Sequence, residues 1–243
     1  VELMEVLAVV PARSGSKGLK NKNIKKLNNH PLLAYSISAG IQTEKINRII
    51  CSTDSQEIAE IAKKYNAEVP FIRPKILAED TSLDLDVFQH VLVELKNREG
   101  YKPDLVINLR PTSPLRNTDL LNKAILMMEN DESISSVRSI FATHKTPYKM
   151  WTKQSNNLLL PIIESKDLNE AYNLPRQILP KVYSQTATID IVRASVIKSG
   201  SMSGSRILGM EIPKKYILDI DNLVEFNQAE ELLKLYPDNY IAI

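Results

Sequence analysis

The sequence predicts an α/β fold built on a doubly wound, mostly parallel sheet, and three observations carry that expectation. Short apolar runs alternate with stretches of helical periodicity along most of the 243 residues, a rhythm that calls for parallel strands covered by helices on both faces. Runs such as "EVLAVVP" and "DLVINL" are apolar almost throughout, as strands buried on both sides are. The rhythm then breaks once, from Phe141 to Lys181, in a segment with Trp151, several prolines and the polar run "TKQSNN". That segment reads as an extended arm or flap, or as a long surface excursion.

Each element follows in order. "EVLAVVP" is a first strand ended by Pro11, "PLLAYSISAGIQT" a helix, and "INRIICSTD" a second strand. Asp54, with Glu57 three residues on, makes a capping-box start for "SQEIAEIAKKY", whose Ile58, Ile61, Ala62 and Tyr65 form an apolar stripe. "AEVPFI" reads as a strand, and Leu85 to Arg98 as a helix stopped by Gly100. "DLVINL" is a strand, Thr118 to Glu129 a helix, and "ISSVRSI" a strand. Beyond the break, "TIDIVRASVI" and "KKYILDID" read as strands. A last helix begins at Asn222, with Glu225 three residues on, and turns Phe226, Ala229, Leu232 and Leu233 inward.

Composition bounds the function. A hydrophobic content of 43% supports one substantial domain, with room for a small appendage, without disulfides. The lone Cys51 has no internal partner, which favours a reducing compartment, and within "RIICSTD" it reads as a buried strand residue rather than a catalytic thiol. No apolar run approaches the ~20 residues of a membrane span and the start shows no secretory pattern, so a soluble cytoplasmic protein is expected. A net charge of +2 is too small to argue for nucleic acid.

Where the charge sits is more informative. From Val6 to Thr43 there is no Asp or Glu, while Arg13, Lys17, Lys20, Lys22, Lys25 and Lys26 crowd the turn after the first strand. In parallel sheets ligands sit at the carboxyl ends of strands. The stretch "PARSGSKGLKNKN" is neither a Walker A motif nor GxGxxG, yet Gly15 and Gly18 let successive N–H groups converge on phosphate oxygens, with Arg13, Lys17 and Lys22 adding charge. Taken alone, it fits a phosphate cradle or an ordinary basic loop.

Far downstream, "LDID" sets Asp219 and Asp221 two apart, on one face of an extended chain, with Leu218 and Ile220 on the other. Two carboxylates side by side fit a Mg²⁺ shared with substrate phosphates, or one of them caps the next helix in competition with Asn222. The basic loop favours the metal–triphosphate reading. "LRPTSPLR" follows another apolar strand and offers the Thr112 and Ser113 hydroxyls, with Arg110 and Arg116 able to pair a carboxylate or phosphate. His30, His90 and His144 share no metal-ligand spacing.

In combination these stretches resemble the acylneuraminate cytidylyltransferase family, the CMP-sialic-acid synthetases. The carrying motifs are "PAR-x-x-SKGL-x-x-KN", matched by Ala12, Arg13, Ser16, Lys17, Gly18, Leu19, Lys22 and Asn23, then "STD" at Ser52 to Asp54, "RP…LAEDTS" from Arg73 to Ser82, "RPTSPLR", "LPRQ-x-LP" from Leu174 to Pro180, and "DID" at Asp219 to Asp221. The resemblance implies a Rossmann-like nucleotidyltransferase in which CTP and a nine-carbon 2-keto sugar acid give the CMP-sugar and pyrophosphate, with Mg²⁺. It further implies that Arg13 and Lys22 act on the phosphates. Ala12, Ser16, Lys17, Asn23, Arg73 and Ser82 complete the nucleotide site. Asp219 and Asp221 hold the metal, and Asp221 also orients or deprotonates the nucleophile. A homodimer is implied too, with the arm reaching across and Arg176 at the neighbouring sugar site. Residues 1–140 are then the nucleotide-binding core, 141–182 the dimerisation arm, and 183–243 the remainder of the core with the metal site.

Departures from the family pattern gather at the sugar end. Arg110 stands where many sialic-acid enzymes carry Gln, Thr186 and Ala187 replace an Asn-Gly pair, and Ser184 stands near where Arg is expected. Sugar-acid contacts are expected from Arg110, Thr112, Ser113, Arg176, Gln185 and Asp190, with either Arg110 or Arg176 anchoring the carboxylate and Asp190 able to read an amino or hydroxyl substituent. They point to a legionaminic-type nonulosonic acid rather than ordinary sialic acid. A 3-deoxy-octulosonate cytidylyltransferase and a catalytically silent nucleotide-binding regulator are the alternatives. A nucleic-acid binder is disfavoured, because the basic loop has no interleaved aromatics.

Overall fold

The first apolar run forms strand β1 (Val6–Pro11), at the heart of a six-stranded mixed, mostly parallel sheet in the computed structural model, which describes residues 4–16, 18–237 and 243. A short hairpin, β2 (Lys26–Leu27) and β3 (His30–Pro31), leads into α1 (Leu32–Ile41). β4 (Arg48–Ser52), α2 (Gln56–Lys64), α3 (Asp84–Glu99), β5 (Leu105–Asn108), α4 (Thr118–Glu129) and β6 (Ser136–Thr143) follow. The hairpin β7 (Trp151–Lys153) and β8 (Leu159–Pro161) comes next, then β9 (Val182–Arg193), α5 (Ala194–Lys198), β10 (Ile207–Glu211) and α6 (Leu223–Leu235).

The strand order is β10-β6-β9-β5-β1-β4, with β1 parallel to both β4 and β5 and β9 antiparallel to β5. Alternation along β1 sorts the core. Val6, Ala8 and Val10 pack with Leu33 and Ile37 of α1, Leu121 and Ile125 of α4, and Phe226 of α6. Leu7 and Val9 pack with Phe88, Val91 and Leu95 of α3 and Ile197 of α5. Helices therefore cover both sheet faces, as the alternating pattern predicts.

Four expectations are corrected. "AEVPFI" is not a strand: Glu68 alone bridges Ile50. Its N–H and C=O are bonded to Ile49 and Cys51, but Pro70 has no N–H to extend the ladder. "KKYILDID" forms a 3₁₀ turn at Lys214–Tyr216 and then an unpaired extended stretch, because the Ile220 N–H is taken by the Thr112 carbonyl at 2.8 Å rather than by a strand. The side-chain alternation survives: Leu218 and Ile220 are buried while Asp219 and Asp221 are exposed. "TIDIVRASVI" leaves the sheet at Arg193 and becomes α5, burying Ala194 and Ile197 at helical spacing. Finally, Ser55 rather than Asp54 caps α2, accepting from the Ile58 N–H at 3.4 Å, since Asp54 is engaged by Ser14. The capping box of α6 forms at Asn222 and Glu225 as expected.

Two compact units divide the chain, Val1–Ser139 with Thr186–Ile243, and Ile140–Gln185. Within the second, β7 and β8 pair antiparallel, the Trp151 ring lies 4.5 Å from that of Tyr172, and the Lys149 ammonium donates to the Tyr172 carbonyl at 3.0 Å. Leu158, Leu159, Leu160 and Ile162 on and beside this hairpin are exposed.

Candidate active site

At the carboxyl ends of β1 and β5 the first unit opens a cleft of about 410 Å³. Its first wall is the basic loop. Ala12 is buried beneath it, its N–H bonded to the Ser52 carbonyl at 2.9 Å, and Asn23 braces the loop from within by donating to the Arg13 carbonyl at 2.9 Å. The loop's other tie is to Asp54, which accepts from the Ser14 N–H at 2.9 Å and hydroxyl at 2.7 Å.

Gly18 brings this loop against the far end of the chain. A Cβ there would lie 2.4 Å from the Asp221 carbonyl oxygen, so no other residue permits the approach. Lys22 completes the junction, its ammonium donating to the Ile220 carbonyl at 2.8 Å and the Asp221 carboxylate at 3.0 Å. Asp221 is 73% exposed while the Lys22 side chain is 13% exposed. The carboxylate is therefore the partner open to solvent, and the one another anion can replace.

The second wall is the segment after β4. Arg73 is buried, yet its Nε and Nη2 have no hydrogen-bond partner among the described residues although the side chain lines the cleft. Burial lowers its pKa against the pull of Asp54. Arg13 reaches across to this segment, donating to the Ala78 carbonyl at 3.2 Å and pairing with Asp80 at 2.6 Å. The Ser82 hydroxyl shapes the same turn, donating to the Ile76 carbonyl at 2.9 Å and accepting from the Glu79 N–H at 3.0 Å.

The floor comes from "LRPTSPLR". Arg116 is wholly buried and holds this loop by donating to the Thr188 and Arg110 carbonyls and the Ser36 hydroxyl at 3.0, 2.8 and 2.8 Å. Burial first, and Arg110 second, push its pKa down to about 9. The Arg110 guanidinium pairs with Asp84 at the start of α3 and, at 3.4 Å, with Asp190 of β9. Burial disfavours the Arg110 cation, but these carboxylates outweigh it and hold its pKa above the ordinary value.

Of the residues the sequence singles out, Arg13, Ser16, Lys22, Asn23, Arg73, Ser82, Arg110, Thr112 and Asp221 line this cleft together. Ser113 is buried beside it, its hydroxyl without a partner among the described residues. Asp190 is corrected: it is 1% exposed and engaged by Arg138, so it sits behind Arg110 rather than presenting a carboxylate to a substrate. Asp219 is exposed and does not line the cleft, although its charge acts on Arg110 and Arg116. Arg176 and Gln185 belong to the second unit, and Lys17 lies outside the described residues.

Sequence reasoning missed the acids. Glu79, Asp80 and Asp84 line the cleft as well. A signal existed: Glu79, Asp80, Asp84 and Asp86 fall close together after Arg73, the complement of an acid-free basic loop.

Comparison with known proteins follows the same lines. A family model described as cytidylyltransferase matches residues 7–197. The chain is 33% identical over 236 residues to a CMP-N,N'-diacetyllegionaminic acid synthase of Campylobacter jejuni, covering 96% of this chain and 97% of that protein. It is 31% identical over 235 residues to post-translational flagellin modification protein B of Campylobacter coli, covering 96% of each. Its fold is similar to that of a CMP:2-keto-3-deoxy-manno-octonic acid synthetase complexed with CTP, with a TM-score of 0.68, 14% identity, and coverage of 95% of this chain and 99% of that one. With its basic loop, acidic segment and Asp221 gathered at one cleft, the chain belongs to the cytidylyltransferase family and is a nucleotidyltransferase of the acylneuraminate cytidylyltransferase type.

Proposed function

We propose that the protein transfers CMP from CTP to a nonulosonic acid of the legionaminic type, releasing pyrophosphate. The observation that carries this reading is the junction of Gly18 and Lys22 with Ile220 and Asp221, which gives one cleft both phosphate-binding cations and an exchangeable carboxylate. The name of the Campylobacter jejuni relative supports the choice of sugar.

Arg13 and Lys22 take the phosphates, exchanging Asp80 and Asp221 for phosphate oxygens; their cations then stabilise charge growing on the α-phosphate and on the departing pyrophosphate. Lys17 adds to this charge, and Ser16 lies on the same loop. The unpartnered N–H groups of Arg73 suit a base carbonyl, with Asn23 and Ser82 shaping the pocket around the cytidine and Ala12 supporting it. Arg110 receives the sugar's carboxylate and Thr112 and Ser113 its hydroxyls. The anomeric hydroxyl, oriented or deprotonated by Asp221, attacks the α-phosphorus as the bond to pyrophosphate breaks. Holding these groups in line is the main catalytic contribution.

Asp219 and Asp221 supply hard oxygen donors suited to Mg²⁺. Among the described residues no cluster of three or more His, Cys, Asp or Glu is found; an ion held by these two aspartates would share its remaining positions with the nucleotide's phosphates. When bound, the ion neutralises phosphate charge.

A homodimer is part of the same reading, with Arg176 and Gln185 of the 140–185 unit serving the sugar site of a second copy. The exposed Leu159 and Leu160 of the hairpin support an interface there. The substrate test is pyrophosphate release with CTP and a panel of legionaminic, pseudaminic and N-acetylneuraminic acids. The legionaminic acid is expected to give the highest kcat/KM, and a clear preference for N-acetylneuraminic acid would refute the assignment.

A further inference from the structure

Arg110 is held from two sides by carboxylates of opposite character. On one side Asp190 of β9 is 1% exposed and fixed by Arg138 of β6, itself anchored to the Ser203 hydroxyl at 2.9 Å. Since β6, β9 and β5 are neighbours in the sheet, Arg138 of β6, Asp190 of β9 and Arg110 just after β5 form a row across adjacent strands. On the other side Asp84 is 43% exposed and lines the cleft. It begins α3 and also accepts from the Asn108 amide at 3.4 Å.

Stability does not account for the row. Buried ion pairs recover their desolvation cost poorly, and an apolar replacement is often as stable. Nor is a charge left spare once Asp84 is added to the row, for two arginines then face two aspartates. A substrate carboxylate reaching Arg110 therefore meets a cation already neutralised. It can bind well only by replacing one partner, and the exposed Asp84 is the replaceable one. Two other cleft cations repeat the arrangement: Arg13 is paired with part-exposed Asp80 and Lys22 with exposed Asp221.

We infer that Asp190 is a positioning residue that holds Arg110 permanently at the sugar end of the cleft, and that Asp84 is a stand-in for the substrate carboxylate, occupying its place until the sugar acid displaces it. This rests on the reading that Arg110 receives the sugar's carboxylate.

The two acids then have opposite effects on KM for the sugar acid, which a purely structural role does not produce. With N,N'-diacetyllegionaminic acid varied at saturating CTP, Asp190→Asn raises KM at least tenfold and Asp84→Asn lowers it severalfold. KM for CTP stays within twofold in both. Arg110→Gln raises the sugar KM, and in that background neither aspartate substitution changes it further, as coupled residues require. If Arg110→Gln leaves the sugar KM unaltered, the assignment of Arg110 to the carboxylate falls. If it raises KM while Asp84→Asn also raises it, or if the Asp190→Asn effect persists in the Arg110→Gln background, only the present inference is overturned. Should Asp190→Asn fail to fold, the sign of the Asp84→Asn effect at the cleft surface decides.

Discussion

Gly18 is where residue chemistry and long-range architecture meet, because the absent side chain lets a loop after β1 touch a segment two hundred residues later. From the sequence, the glycines of the basic stretch are expected to let the loop turn; Gly18 serves instead by leaving room for the Asp221 carbonyl, and Gly15 has open space where a side chain would stand. Lys22 shows the same limit: its charge was evident, its bond to the Ile220 carbonyl was not. Cys51 was legible in full. Its strand setting implied burial, and burial pushes the thiol up to about 12. A thiol reagent at pH 8 is therefore expected to label the protein only on denaturation; rapid labelling of the folded protein would contradict the packing described for β4.

At the scale of elements, helices with strong caps were readable. Asn222 accepts from the Val224 and Glu225 N–H groups at 2.9 and 3.1 Å, and Glu225 returns a bond to the Asn222 N–H at 3.1 Å. The same Glu225 oxygen accepts from the Asp221 N–H at 2.6 Å, tying the helix start to the cleft-lining end of the preceding segment. Asn222→Ala should cost about 1 kcal/mol and lower Tm by about 2–4 °C in a thermal melt; an unchanged Tm would show that the cap contributes nothing. Strands were less readable. A parallel strand is defined by partners far along the chain, and single residues decide it: Pro70 ends one ladder, and the Thr112 carbonyl diverts the backbone of Ile220 from another. The β10 edge strand went unseen for the same reason.

Across the whole molecule, the motifs name the reaction because they fall in chain order, and nine of the residues they nominate line one cleft. What they could not convey is electrostatic balance. Three of the cleft-lining cations are paired, Arg13 with Asp80, Lys22 with Asp221 and Arg110 with Asp84, while Arg73 keeps two N–H groups without a partner among the described residues, so the proposed binding exchanges partners at the first three and captures at the fourth. Helical periodicity and strand alternation carry no record of such pairings. The most direct test of the account is to supply the protein with CTP, Mg²⁺ and N,N'-diacetyllegionaminic acid and to follow the CMP-sugar by mass alongside released pyrophosphate. The account predicts equal amounts of both products, and a rate at least about a hundredfold lower for Lys22→Ala with an unchanged melt, the scale expected when one transition-state cation is removed. Absence of a CMP-sugar from this or any other nonulosonic acid, or a near-normal rate for Lys22→Ala, would contradict it.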